Sequence, residues 1–209
     1  MTILAAPRDP AASKRQAILD ATLRLVARTG LHNTPVSAIA REAGVAVGTA
    51  YLYFSSKDEL INALYLELVR DRDDSALLAY RPADSPREAL WRAWERYARW
   101  HLDHPDASNF ILQCEASGII SDETRAVRQE MGAAGLLTYR EGIEGGTLRD
   151  LPVQVFWAHF MGPILVLSHL RDVGEIEITD EILHQTFEGV ARSVLQAPQT
   201  SGPSTCEAP

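Results

Sequence analysis

Between Thr34 and Glu59 the chain places Gly48, Thr49, Tyr51, Tyr53 and Lys57 at spacings suited to gripping a phosphate backbone. A glycine lets a backbone approach a phosphate closely, and threonine and tyrosine hydroxyls can donate to its oxygens. Lys57 falls at an expected helix start, where its charge adds to free amides and to the positive end of the helix dipole. Thr34 and Val36, at the entry to the preceding helix, complete the set. Such contacts fix register and carry no base information. Base reading would fall to small side chains, Ala46, Val47 and Thr49, with Val47 suited to a thymine methyl. Phe54, in the same run, reads as core.

Holding these residues in place takes two short helices and a tight turn. Thr34 can cap the first, Pro35 fits its first position, and Gly44 closes it. Ala46 to Phe54 reads as the second helix. Ser56-Lys-Asp-Glu59 is a capping box that opens a third, with Leu60, Ile61, Leu64, Leu68 and Val69 along one side. The pattern is that of a helix-turn-helix, whose second helix can enter the DNA major groove. Upstream, Ser13-Lys-Arg-Gln16 reads as another capping box. Ile18, Leu19, Thr22, Leu25 and Val26 follow at helical spacing, and Gly30 is a left-handed stop.

The run from Ile18 to Leu60 resembles the N-terminal domain of tetracycline-repressor (TetR) type transcriptional regulators. The resemblance rests on Ile39-Ala40, Ala43-Gly44-Val45, Gly48 to Phe54, and Ser56 to Glu59. It departs from the family at Ala46, where the usual serine caps the recognition helix, and at Val47, where a polar or basic residue is common. The lost cap should cost roughly 1 kcal/mol. The resemblance implies a homodimer whose last two helices form a four-helix bundle across a two-fold axis. Two recognition helices would then lie roughly 34 Å apart on a near-palindromic DNA operator. It also implies a small-molecule effector bound in the C-terminal body.

Residues beyond 59 supply candidates for both roles. Val153, Phe156, Trp157, Phe160, Met161 and Ile164 look too numerous for one monomer's core, and Leu183, Phe187 and Val190 give the last helix a second apolar stripe. The expected dimer interface is therefore Phe156, Trp157, Phe160, Ile164, Leu183, Phe187 and Val190. Trp91, Trp94, Tyr97 and His101 crowd one helix, and Phe110, Cys114 and Tyr139 are expected on the opposite wall of an effector pocket. His101, Asp103, His104 and Asp106 read as ordinary surface residues in preference to metal ligands. No catalytic constellation stands out, so the expectation is a regulator and not an enzyme, with no metal and no cofactor. A helical module that kept the fold and lost DNA contact is the alternative, with Ala46 and Val47 its best support.

The whole chain reads as all-α, with about nine helices by periodicity and caps. A disordered start (1–12) leads into a helix-turn-helix domain (13–59). An effector-binding and dimerisation domain (60–197) and a disordered tail (198–209) follow. The 209 residues are 46% hydrophobic, which fits a globular fold. Net charge is −8, which argues against indiscriminate coating of nucleic acid. From Ser13 to Lys57 six basic residues face two acidic ones, a local balance of +4 that leaves −12 on the remainder. Cys114 and Cys206 suggest neither a disulfide framework nor a metal site. No apolar run is expected to reach the roughly 18–20 residues of a membrane span. A cytoplasmic protein is the expectation.

Overall fold

The computed structural model describes residues 10–77 and 85–197. The expectations for residues 1–9 and 198–209 and for Cys206 lie outside these. Among the described residues the architecture is all-α, ten helices with a single isolated bridge between Leu148 and Leu195. They are α1 (Pro10–Thr29), α2 (Val36–Glu42), α3 (Val47–Tyr53), α4 (Lys57–Leu77), α5 (Pro86–Asp103), α6 (Pro105–Ser117), α7 (Asp122–Met131), α8 (Ala133–Glu144), α9 (Val153–Asp172) and α10 (Asp180–Val194).

One helix more than the expected nine comes from Gly132, which separates α7 from α8. Gly132 closes α7 through its amide on the Arg128 carbonyl (3.0 Å) and serves as the N-cap of α8. Glycine is among the poorest helix formers, and here it marks a corner. α1 starts at Pro10, so Ser13 lies inside the helix and not at its cap; the Gln16 amide instead donates to Asp20 at 3.0 Å. Short-range caps and stops define other helix ends. Ser85 and Glu88 form a reciprocal capping box on α5, Thr179 accepts from the Ile182 amide of α10, and Gly30 ends α1 at φ +79°.

The helices bury two apolar cores, with α5 between them. The first joins α1, α2, α3 and α4 to α6, through Ile18, Leu19, Ile39, Phe54, Leu64, Tyr65, Phe110 and Cys114. The second lies among α5, α8, α9 and α10, through Trp94, Tyr97, Tyr139, Phe156, Ile164 and Phe187. Trp100, one α5 turn beyond Tyr97, belongs to the first core and donates from its indole to Asp71 of α4 at 2.6 Å. Asn62 ties α4 to the connection between α6 and α7: its amide donates to the Ile119 carbonyl (3.0 Å) and its oxygen accepts from the Ser121 amide (3.0 Å).

This division corrects two sets of expected residues. Phe110 and Cys114 do not face Trp94 and Tyr97 across a pocket, because α6 packs against α1 and α4. Of the expected dimer residues, Phe156, Phe160, Ile164, Leu183, Phe187 and Val190 are only 0 to 6% exposed, and Trp157 is half-buried. They go inward because α5 supplies large partners: the Trp94 indole donates to the Phe160 carbonyl at 2.9 Å, and the Tyr97 and Phe160 rings lie 6.0 Å apart. The outer side of α9 carries smaller residues, Val155 and Val166, with Val173 just past its end. α9 also departs from expectation in being long and apolar enough to cross a membrane. It meets that test by length and composition only, and most of it is not fully buried within the chain.

Candidate nucleic-acid interface

α2 closes on the Ile39 carbonyl, Gly44 turns the chain at φ +69°, and the Val45 amide returns to the Ala40 carbonyl at 2.9 Å. That positive φ is costly for any residue with a Cβ, so glycine is required at this turn. Ala40 and Ala50 are buried and small, which lets the two short helices meet closely. α3 is held by its inner side, Ala50 and the following Phe54, on the first core.

The outer side of α3 presents Val47, Gly48, Tyr51 and Leu52 to solvent. Ala46 is its N-cap and offers no side-chain hydrogen bond. Thus Ala46, Val47, Gly48 and Tyr51 of the expected set come together on one surface. Thr49 and Tyr53 are half-buried, and Tyr53 and Val36 pack against the first core. Leu52 is 84% exposed and was not anticipated. Its apolar type suggests core, and only its position four residues after Gly48 and one after Tyr51 signals otherwise.

Two expected contacts are corrected. Thr34 is 1% exposed and neither caps α2 nor reaches the surface. Its hydroxyl donates to the Gly30 carbonyl (2.8 Å) and shares a hydrogen bond with Thr29 (2.9 Å), locking the α1–α2 corner. Lys57 does begin α4, but its ammonium is turned onto the carbonyls of Leu31 (2.7 Å) and His32 (3.3 Å). It acts as a tie between α4 and that corner, and its charge already has partners.

Much of the local positive charge is likewise engaged. Arg24 and Arg28 share Glu42 at 3.3 and 3.0 Å, and the Arg28 hydrogen bond, then that of Arg24, holds the Glu42 carboxyl below its usual range. Arg15 pairs with Glu67 and lies over the Phe54 ring at 5.4 Å. Lys14 and Arg41 are exposed and form no ion pair among the described residues.

In the body, Trp94, Tyr97 and Tyr139 are packed as core, and the Tyr139 hydroxyl donates to the Leu151 carbonyl. Trp91 is half-buried and stacks on His184 at 4.2 Å. Burial, then Glu115, pushes the Cys114 thiol up to about 12, which leaves it inert as a nucleophile. His101 is not a surface residue: it is 1% exposed, with Nδ1 2.7 Å from the Ser108 hydroxyl. His104 instead sits with Nδ1 3.0 Å from the Trp100 carbonyl. No group of three or more metal-binding side chains occurs among the described residues. His101 Nε2, and Ser168 Oγ on α9, are buried without a hydrogen-bond partner among the described residues. α5 and α9 run in the same direction, since Trp94 bonds to Phe160 and the Leu102 carbonyl to Arg171, and each carries one of these two atoms. Arg72 of α4, also buried, lies 5.5 Å over the Tyr97 ring one turn away.

Residues 18–64 match the family of bacterial regulatory proteins named tetR. The chain is 42% identical over 77 residues to the HTH-type transcriptional regulator BetI of Agrobacterium fabrum, a span of 37% of either protein. It is 44% identical over 54 residues to the fatty acid metabolism regulator protein of Bacillus subtilis, covering 26% of this chain and 28% of that one. The matches thus span about a third of the length of these curated relatives. Whole-chain likeness comes from solved structures. A TetR family transcription regulator of Marinobacter aquaeolei superposes with TM-score 0.84 at 28% identity, over 91% of this chain and all of the other. A bacterial regulatory protein in the tetR family from Rhodococcus gives TM-score 0.74 at 19% identity over 90% and 99%, a likeness of fold.

Proposed function

Since the chain belongs to the tetR family of bacterial regulatory proteins, we infer that it is a transcriptional repressor that binds a palindromic operator as a homodimer and lets go when a small molecule occupies its body. The observation that carries the DNA-binding reading is the solvent-facing side of α3, held out by Ala50 and Phe54 beneath it. Val47, Gly48 and Tyr51, with Ala46 at the helix start, would meet the groove; Lys14 and Arg41 are exposed for phosphate contact. Such a protein works beside the chromosome, in the cytoplasm.

The dimer reading is supported by the outer side of α9. Val155 and Val166 lie exposed there at helical spacing, with Ala158 and Gly162 between them. An apolar helix so poorly covered within one chain is suited to a second copy, and small residues allow helices to approach closely. The large aromatics behind it then serve as the floor that keeps this surface flat.

The effector reading is supported by His101 Nε2 and Ser168 Oγ. Buried polar atoms are nearly always hydrogen-bonded, so two without partners on the packed helices α5 and α9 suit a small molecule that would satisfy them. The matches to BetI and to the fatty acid regulator span 77 and 54 of 209 residues and say nothing of what this body binds.

The test is a titration of the full-length protein against DNA selected from a random-sequence pool, repeated at several salt concentrations. The reading expects enrichment of an inverted repeat and a log–log salt slope of several counterions. A pool that yields no sequence preference refutes it and favours the helical module without DNA contact.

A further inference from the structure

The exposed side of α3 has none of the side chains that read purines by paired hydrogen bonds. Arginine or lysine on guanine, and asparagine or glutamine on adenine, are the usual bidentate readers. α3 is Val-Gly-Thr-Ala-Tyr-Leu-Tyr and holds none of them. What it presents is Val47, Gly48, Tyr51 and Leu52, at i, i+1, i+4 and i+5, which puts them on one side of a two-turn helix. Leu52 is the most exposed large hydrophobic among the described residues.

Single exposed apolar residues are ordinary on protein surfaces, but three on one side of a seven-residue helix form a patch that a partner should cover. Among the described residues α3 packs mainly on α2 and α1, and this side is left exposed. Resting on the DNA-binding reading above, we propose that Val47 and Leu52 are the specificity-determining residues of this chain and read thymine through its C5-methyl group. Each operator half-site then carries at least one thymine whose methyl projects into the major groove under α3. Gly48 sits between the two readers, so the helix backbone can come close enough for such short side chains to reach the base edges. The flanking Tyr51 carries a hydroxyl at the rim of the patch, where phosphate oxygens lie.

A thymine methyl is removed without other change by replacing the base with uracil. Full-length protein is titrated against its pool-selected operator and against copies carrying uracil at one half-site thymine at a time, at fixed salt. Binding should weaken about fourfold for each methyl that α3 covers, and about fifteenfold when the pair related by the dyad is replaced. Leu52→Ala or Val47→Ala should bind the thymine and uracil operators alike at the position that each side chain reads. Leu52 is so exposed that its replacement leaves the core untouched, and circular dichroism of the variant checks this. Uracil operators that bind as tightly as the thymine one, or a half-site of G·C pairs only, overturn the proposal while leaving DNA binding intact. A pool with no preferred sequence overturns both.

Discussion

His101 makes the body of this protein sensitive to acid by a calculable amount. The imidazole is 1% exposed, bonded to Ser108 of α6 and enclosed by the rings of Tyr97 (4.5 Å) and Trp100 (5.2 Å). Burial first, then the positive charge of Arg72 and the neighbouring His104, pushes its pKa from 6.5 down to about 3. The native state therefore takes up this proton only near pH 3, whereas the unfolded chain takes it up near 6.5. Between those values the unfolded state binds more protons, so stability is fully present above pH 6.5 and is lost as pH falls toward 3. At about pH 5 the loss is on the order of 2 kcal/mol, set by the gap to the unfolded pKa. The assay is urea unfolding of the wild type and of His101→Gln at about pH 7.5 and about pH 5, since the glutamine keeps a polar partner for Ser108 but takes up no proton. The wild type should lose about 2 kcal/mol more than the variant between the two conditions. Equal losses would show that the native imidazole is protonated or hydrated and would refute the reasoning.

Two further outcomes are expected. Val166→Glu, at a site 60% exposed in the single chain, should leave the fold intact and shift the mass seen by light scattering from dimer to monomer; a persistent dimer would place the interface elsewhere than α9. Lys57→Met removes the ammonium from two carbonyls of the α1–α2 corner and should lower stability by about 2 kcal/mol, read as a lower Tm or urea midpoint. An unchanged midpoint would show that this tie contributes nothing.

Local chemistry was the legible part of this chain. The Ser85–Glu88 box, the Thr179 cap, Gly30 and Gly44 act within a few residues, so their meaning survives without knowledge of distant partners. Gly132 could be read as a weak helix residue or as a corner, and only the packing of α7 and α8 decides between them. The direction in which α9 points its aromatics was not legible, because it depends on where α5 lies. Counting Phe156, Phe160 and Ile164 as surplus overlooked Trp94 and Tyr97, which absorb them. Phe110 and Cys114 were misplaced for a related reason: α6 is held to α1, an element some 80 residues earlier, by the Gln113 side chain on the Leu31 amide. At the DNA-facing end, Thr34 and Lys57 have the right types for phosphate contact, but nearby carbonyls claim them first. Leu52 went unnoticed because sequence patterns equate apolar with buried.

Leu31 is where these threads cross. Its amide donates to Gln113 of α6, its carbonyl accepts from Lys57 of α4, and its side chain is buried in the first core at the end of α1. One residue thus acts as a surveyor's pin shared by three helices. α6 and α4 are therefore each tied by a side chain to the backbone of the corner between α1 and α2. The two peptide groups that flank the Leu31 Cα thus join α6 and α4 to the corner that leads into α2 and α3.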